Sequence, residues 1–175
     1  MAERVYSYRG PASVAREVQG SHTGTSIHSL GELRDWLNRH PEAESEGATF
    51  VVTTNGVLRL APRRTEHVAC AEGAPVLAAG EIIFAGGSDT PRVIEATNQS
   101  IGYCPEPESW PALAAALGRI GLAPPERYTR EFLFRLCRDC GQLNIVKENW
   151  FYCSVCDAPL PAAWNIGAEP TWSQS

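Results

Sequence analysis

The stretch Ala48-Thr49-Phe50-Val51-Val52-Thr53-Thr54-Asn55-Gly56-Val57-Leu58-Arg59-Leu60 carries the strongest local instruction in the chain. Its first seven residues are mostly β-branched or aromatic, the side chains that pack well on a pleated surface. Asn55-Gly56 follows, and then a second strand-like run, which predicts two antiparallel strands joined by a two-residue turn. Upstream, Ser29-Leu30-Gly31-Glu32 is a capping-box pattern, with Leu33, Trp36 and Leu37 at helical spacing behind it. Pro41 ends that helix near His40. Residues 1–28, with Gly10-Pro11 and Gly20, predict irregular structure and one short helix over 13–19. Downstream, residues 76–85 and 92–97 read as a second strand pair around Gly86-Gly87-Ser88-Asp89. Ser109 is placed to cap a helix with Pro111 in its first turn and Leu113, Leu117 and Ile120 on one face.

Six cysteines are spread over the 175 residues: Cys70, Cys104, Cys137, Cys140, Cys153 and Cys156. The last four form Cys137-Arg138-Asp139-Cys140 and Cys153-Ser154-Val155-Cys156, with twelve residues between the pairs. Two residues between thiols let a tight turn aim both sulfurs at one ion, and two facing turns complete a tetrahedral thiolate site. Two disulfides would need an oxidising compartment. Met1-Ala2-Glu3-Arg4 has no apolar run behind it, so no export signal is read and the expected setting is cytoplasmic. A lone Cys-x-x-Cys can be a redox pair; a second matched pair favours a shared metal. Iron uses similar ligands at the same spacing. The cofactor expected is one structural Zn²⁺ per chain on Cys137, Cys140, Cys153 and Cys156. Four thiolates leave no open position for water, so such a site braces a fold and does not activate a nucleophile.

The segment from Cys137-x2-Cys140-Gly141 to Cys153-x2-Cys156-Asp157 resembles a zinc ribbon. The resemblance implies two zinc knuckles joined to a small antiparallel sheet. Asp157 stands where many ribbons place glycine. Zinc ribbons as a class bind nucleic acid, bind proteins or brace a neighbouring domain. The fold class is therefore α+β: an antiparallel sheet with flanking helices plus a small C-terminal zinc ribbon. Pro124-Pro125 marks the division, giving an α+β domain over 1–125 with an irregular N-terminal segment and the ribbon over 126–166. From residue 159 onward the chain reads as loosely constrained, with 167–175 as a flexible tail.

Outside the ribbon, Asn98-Gln99-Ser100-Ile101-Gly102-Tyr103-Cys104-Pro105 is the least ordinary stretch. Cys104 could be an exposed nucleophile at a strand-to-helix junction, with His67 or His28 raising its thiolate fraction. The alternative is that Cys104 is a small buried apolar residue and that Asn98 and Ser100 satisfy loop backbone. Cys70, in the apolar run after His67, reads as core. His22 and His28 read as solvated, and Arg63-Arg64 as an exposed turn before it reads as a phosphate contact. His67, Gly80-Glu81, Ser100, Tyr103 and Pro105 together resemble an uncharacterised domain. That domain is shared with plant IQ-motif calmodulin-binding proteins and bacterial toxin-associated proteins. Gly102 falls where that pattern has a second histidine. The catalytic candidates are accordingly His67, Ser100, Tyr103 and Cys104.

A formal net charge of −5, 43% hydrophobic and 20% charged residues describe a globular chain, and no apolar stretch approaches the ~20 residues of a bilayer span. Residues 126–164 hold five basic side chains (Arg127, Arg130, Arg135, Arg138, Lys147) against five acidic ones (Glu126, Glu131, Asp139, Glu148, Asp157). Four thiolates with Zn²⁺ add about −2, and affinity for phosphate rests on several uncompensated Lys or Arg contacts. Another protein is thus the expected partner, ahead of nucleic acid, with Trp110, Trp150, Trp164 and Trp172 as possible aromatic anchors. Three readings stand in order: a non-catalytic interaction or accessory factor, an enzyme using the 98–105 loop, and a nucleic-acid-binding ribbon.

Overall fold

The computed structural model describes residues 3–167 and divides them into two units, the first ending at Glu131 and the second beginning at Phe132. Trp172 and all but Gly167 of the expected tail lie outside the described residues. The first unit holds a five-stranded sheet in the order β1 (Thr25–Ile27), β3 (Leu58–Pro62), β2 (Ala48–Thr53), β4 (Val76–Ala85), β5 (Arg92–Ala96), every neighbour antiparallel. Five helices accompany it: α1 (Ala12–Glu17), α2 (Leu30–Arg39), α3 (Ala43–Glu46), α4 (His67–Cys70) and α5 (Trp110–Arg119). The α+β class read from the sequence is the class observed, and among the described residues no helix is long and apolar enough to cross a membrane.

The β2–β3 hairpin forms where the β-branched run predicts it, with a different turn. Gly56 N–H donates to the Thr53 carbonyl and Thr53 N–H to the Val57 carbonyl (2.8 and 2.9 Å). Gly56 is left-handed (φ 78°), whereas Asn55 is not among the positive-φ residues. The loop is a four-residue turn closed by a glycine bulge, because the two-residue alternative needs both central residues left-handed. Helix α2 begins at its capping box: Ser29 Oγ accepts from Glu32 N–H (3.1 Å), while the Glu32 carboxylate reaches back to the N–H of His28 (2.6 Å). Ser109 does not cap α5. Its hydroxyl donates to the Glu106 carbonyl (2.6 Å) and meets the Tyr128 hydroxyl (2.7 Å), and a short 3₁₀ turn over Pro107–Ser109 leads into the helix instead.

Alternation places Phe50 and Val52 of β2, Leu58 and Leu60 of β3, and Ile82 and Phe84 of β4 on one sheet face. That face packs against Leu33 and Trp36 of α2 and Leu113 and Leu117 of α5. Tyr128 belongs to this same core, so the chain beyond Pro124-Pro125 still serves the first unit. The opposite face, with Thr49 and Val51, is covered by α4. Its N-terminal neighbour is pinned too: Tyr6 pairs with Val76 through both backbone groups (2.8 and 2.9 Å).

In the second unit β6 (Leu133–Leu136) pairs antiparallel with β7 (Leu143–Val146). The chain then turns through Lys147–Trp150 (2.9 Å) with Glu148 and Asn149 both left-handed, the pattern of a tight reversal. Residues 159–166 are held rather than loose. The Asn165 side chain both accepts from Leu136 N–H (2.9 Å) and donates to its carbonyl (2.7 Å), and Leu160 and Ile166 are buried. Backbone pairing by an Asn side chain leaves no hydrophobic period for a sequence reading to detect.

One close approach fixes the path of the chain beside β4. A Cβ on Gly80 would run into the carbonyl of Thr97 and touch Asn98. Gly80 pairs with Phe50, so the absent side chain leaves room on that strand face for the 97–98 backbone to pass close to β4. Overfilling a packed site costs about 1–3 kcal/mol. Gly80→Ala is accordingly expected to lower unfolding stability by about that amount or more, measured by urea denaturation; wild-type stability in that variant would show that the crossing can shift freely.

Candidate functional site

The four C-terminal cysteines come from two turns of the same construction. In the first, Gly141 N–H donates to the Cys137 carbonyl (3.0 Å), and Cys137 N–H donates to Gln142 (2.8 Å), with Gly141 left-handed at φ 78°. In the second, Asp157 N–H donates to Cys153 (3.0 Å) and Cys153 N–H to Ala158 (2.8 Å), with Asp157 at φ 60°. Asp157 thus adopts the backbone of the glycine it replaces, a conformation aspartate tolerates better than branched residues do. Both turns present their sulfurs to one point. The Sγ atoms all lie within 4.8 Å of one another, with Cys137–Cys156 at 3.5 Å and Cys140–Cys153 at 3.6 Å.

Those separations fit a metal. Tetrahedral zinc with Zn–S of about 2.3 Å has sulfur–sulfur edges of roughly 3.8 Å, while a disulfide needs about 2.05 Å. All six cysteines are free thiols. The donor set is soft, four sulfurs and nothing else, and no other group of three or more potential ligands gathers among the described residues. Cys137 and Cys153 are buried and Cys140 and Cys156 exposed. The backbone N–H of Cys156 holds the Cys153 thiol down to about 6, aided by Val155 N–H and the Asn144 amide against the opposing effect of burial.

Asn144, in the middle of β7, is a residue the sequence reading did not single out. Its carboxamide is buried and touches Gln142, Cys153 and Ser154. The only available signal was a lone polar residue in an otherwise apolar strand, Leu143-Asn144-Ile145-Val146. Arg135, one of the five basic side chains counted over 126–164, is also buried. Its guanidinium donates to the carbonyls of Phe134, Pro161 and Ala162 (2.8, 3.1 and 2.8 Å).

In the first unit the four catalytic candidates do not share one cavity. His67 and Ser100 line a cavity of about 430 Å³ together with Thr49, Arg63, Arg64 and Glu81. Tyr103 and Cys104 are buried and do not line it. The Tyr103 hydroxyl donates to the Ala74 carbonyl (2.7 Å), and the Cys104 thiol donates to the Ile101 carbonyl (3.0 Å). Burial pushes Cys104 up to about 12, so it is a thiol and not a thiolate at neutral pH. Cys70 is buried and likewise raised to about 12, in keeping with a core residue. His67 Nε2 lies 2.8 Å from the Gly80 carbonyl. A carbonyl only accepts, so Nε2 carries the hydrogen and Nδ1 the lone pair. Burial holds the ring below its usual pKa, in the neutral form. Arg63 is paired with Glu81 (2.9 Å), and His28 and His22 are exposed.

Asp157→Gly is expected to retain metal binding with stability within about 1 kcal/mol of wild type, whereas Asp157→Val should cost about 1–2 kcal/mol, both read by thermal melts of the full chain. Compared with protein families, curated proteins and solved structures, the chain matches none.

Proposed function

We propose that Cys137, Cys140, Cys153 and Cys156 bind one structural Zn²⁺, and that the chain is a non-catalytic interaction or accessory protein of the cytoplasm. The observation that carries the metal reading is the convergence of four sulfurs at tetrahedral spacing, two of which double as the local core. The buried cluster at the sulfurs is Cys137, Cys153 and Leu160, with Val146, Phe151 and Ala158 packed against it. A unit this small has little apolar core to offset chain entropy, and metal binding becomes folding free energy. A bound ion cross-links the two turns; with four protein ligands it offers no site to a reacting molecule.

The partner reading rests on what surrounds that centre. Trp150 and Val155 are 68% and 66% exposed and Tyr152 46%, with the Trp150 and Tyr152 rings 4.8 Å apart. Exposed aromatic pairs supply much of the energy of protein–protein contacts. Arg135 is committed to carbonyls within the fold, which lowers the count of cations available for phosphate and weighs against nucleic acid.

A second reading, an enzyme, is favoured by one observation: His67 and Ser100 share a cavity, and the Gly80 carbonyl fixes the His67 tautomer. In that reading His67 Nδ1 is the base, Ser100 is within the same wall, and Tyr103 and Cys104 support the loop from behind without touching a substrate.

Two measurements test these readings. Elemental analysis should find about one zinc per chain, and chelation should abolish amide protection in the second unit while sparing the first, as followed by hydrogen exchange. Metal-free protein with an intact second unit would overturn the structural role. Affinity capture should recover a stoichiometric protein that Trp150→Ser/Tyr152→Ser loses at unchanged zinc content. A sub-micromolar, salt-sensitive nucleic-acid complex would displace that reading, and any turnover lost in His67→Ala at unchanged stability would establish the enzyme instead.

A further inference from the structure

The centre carries one side chain whose placement exceeds what a strand residue needs. Asn144 has four hydrogen-bonding positions, two N–H donors and two oxygen lone pairs, and all four are used. Its oxygen accepts from the backbone N–H and from the hydroxyl of Ser154 (3.0 and 3.1 Å). Its nitrogen donates to the Gln142 carbonyl (3.0 Å) and toward Cys153 Sγ (3.5 Å). Gln142 is the residue whose carbonyl also receives Cys137 N–H, so it closes the first cysteine turn. Ser154 lies inside the second. One carboxamide therefore bridges the two turns and places a hydrogen on one ligand sulfur.

We infer that Asn144 is a positioning residue of the metal centre: it fixes the separation of the two cysteine turns and tunes the Cys153 sulfur through its N–H···S hydrogen bond. The inference rests on the metal reading above. Four thiolates around a divalent ion leave an excess negative charge, and N–H donors on the sulfurs are the available means of offsetting it. Cys153 receives three such donors, Cys156 N–H, Val155 N–H (3.4 Å) and Asn144, and only the last comes from a side chain. Isosteric aspartate would reverse the arrangement. It would turn a carboxylate oxygen toward both the Gln142 carbonyl and the Cys153 sulfur, where neither can donate. Alanine removes all four bonds, while Ser154→Ala deletes only the hydroxyl and keeps the contact to sulfur. Partners that orient metal ligands are worth 10- to 100-fold in affinity in comparable centres.

The test is a zinc competition titration of the full chain with wild type, Asn144→Asp, Asn144→Ala and Ser154→Ala, repeated with cobalt(II) to read the sulfur-to-metal charge-transfer band. Both Asn144 variants should bind zinc 10- to 100-fold more weakly. In Asn144→Ala the band should move to longer wavelength, because a sulfur without its hydrogen bond donates more strongly. Ser154→Ala should shift affinity by a few-fold at most and leave the band in place. Wild type that takes up neither metal defeats the metal reading itself. Wild type that binds normally beside Asn144 variants within twofold of it overturns the inference alone. Weaker binding with an unmoved band, or complete loss of metal in Asn144→Ala, makes Asn144 a folding residue and overturns it as well.

Discussion

The second unit converges on four sulfur atoms held within 4.8 Å of one another. Cys137, Cys153 and Leu160 form the buried cluster at the sulfurs, and Phe134 and Ile166 are the other large apolar side chains buried among the unit's described residues. The rest of the unit follows from that constraint. Both cysteine turns need a left-handed residue directly after the second thiol, supplied by Gly141 and Asp157. The strand between them carries Asn144, whose buried carboxamide bonds to Gln142 of the first turn and to Ser154 of the second. The segment after the second turn is fastened back by Arg135 and Asn165, so that the carbonyls of Pro161 and Ala162 and both backbone groups of Leu136 are paired.

The first unit depends on a different contact, the passage of Thr97–Asn98 over Gly80. That crossing is bonded as well as close: Thr97 N–H donates to the Glu81 carbonyl (2.9 Å), and Glu81 N–H to the Thr97 hydroxyl (3.3 Å). It brings Ser100 to the cavity wall that also holds His67, whose Nε2–H is bonded to the Gly80 carbonyl. His67, Gly80 and Ser100 are thus neighbours for a reason of backbone geometry. Tyr103 lies farther along the same loop and serves to anchor it through Ala74.

Much of the architecture was legible because it is written in local periods. The β-branched run before Asn55-Gly56, the capping box at Ser29 and the apolar face of Leu113 and Leu117 each depend on neighbours within a few residues. The cysteine pairs were legible for the same reason, since the turn that aims two sulfurs is built from four consecutive residues. Where competing local options differ little in energy, the reading missed. Asn55-Gly56 suits two turn types, and Ser109 could spend its hydroxyl on a helix end or on Tyr128; packing of Tyr128 into the core decided the second case. The buried Arg135 and the fastened residues 160–166 had no periodic signal at all, because their bonds run to backbone carbonyls and amides that any sequence possesses.

The sequence by itself determined the α+β class, the antiparallel hairpins, and a four-thiol set with spacing suited to one metal ion. Those features need only side-chain chemistry and short-range geometry. Tertiary structure decided which polar residues became partners. It separated His67 and Ser100 from Tyr103 and Cys104, buried Cys104 so that it stays a thiol, and withdrew Arg135 from the surface. It also placed Asn144 between the two cysteine turns. The physical reason is that burial and hydrogen-bond pairing between residues far apart in the chain are set by how the elements pack, and a side chain's chemistry is fixed only once that packing has chosen its surroundings.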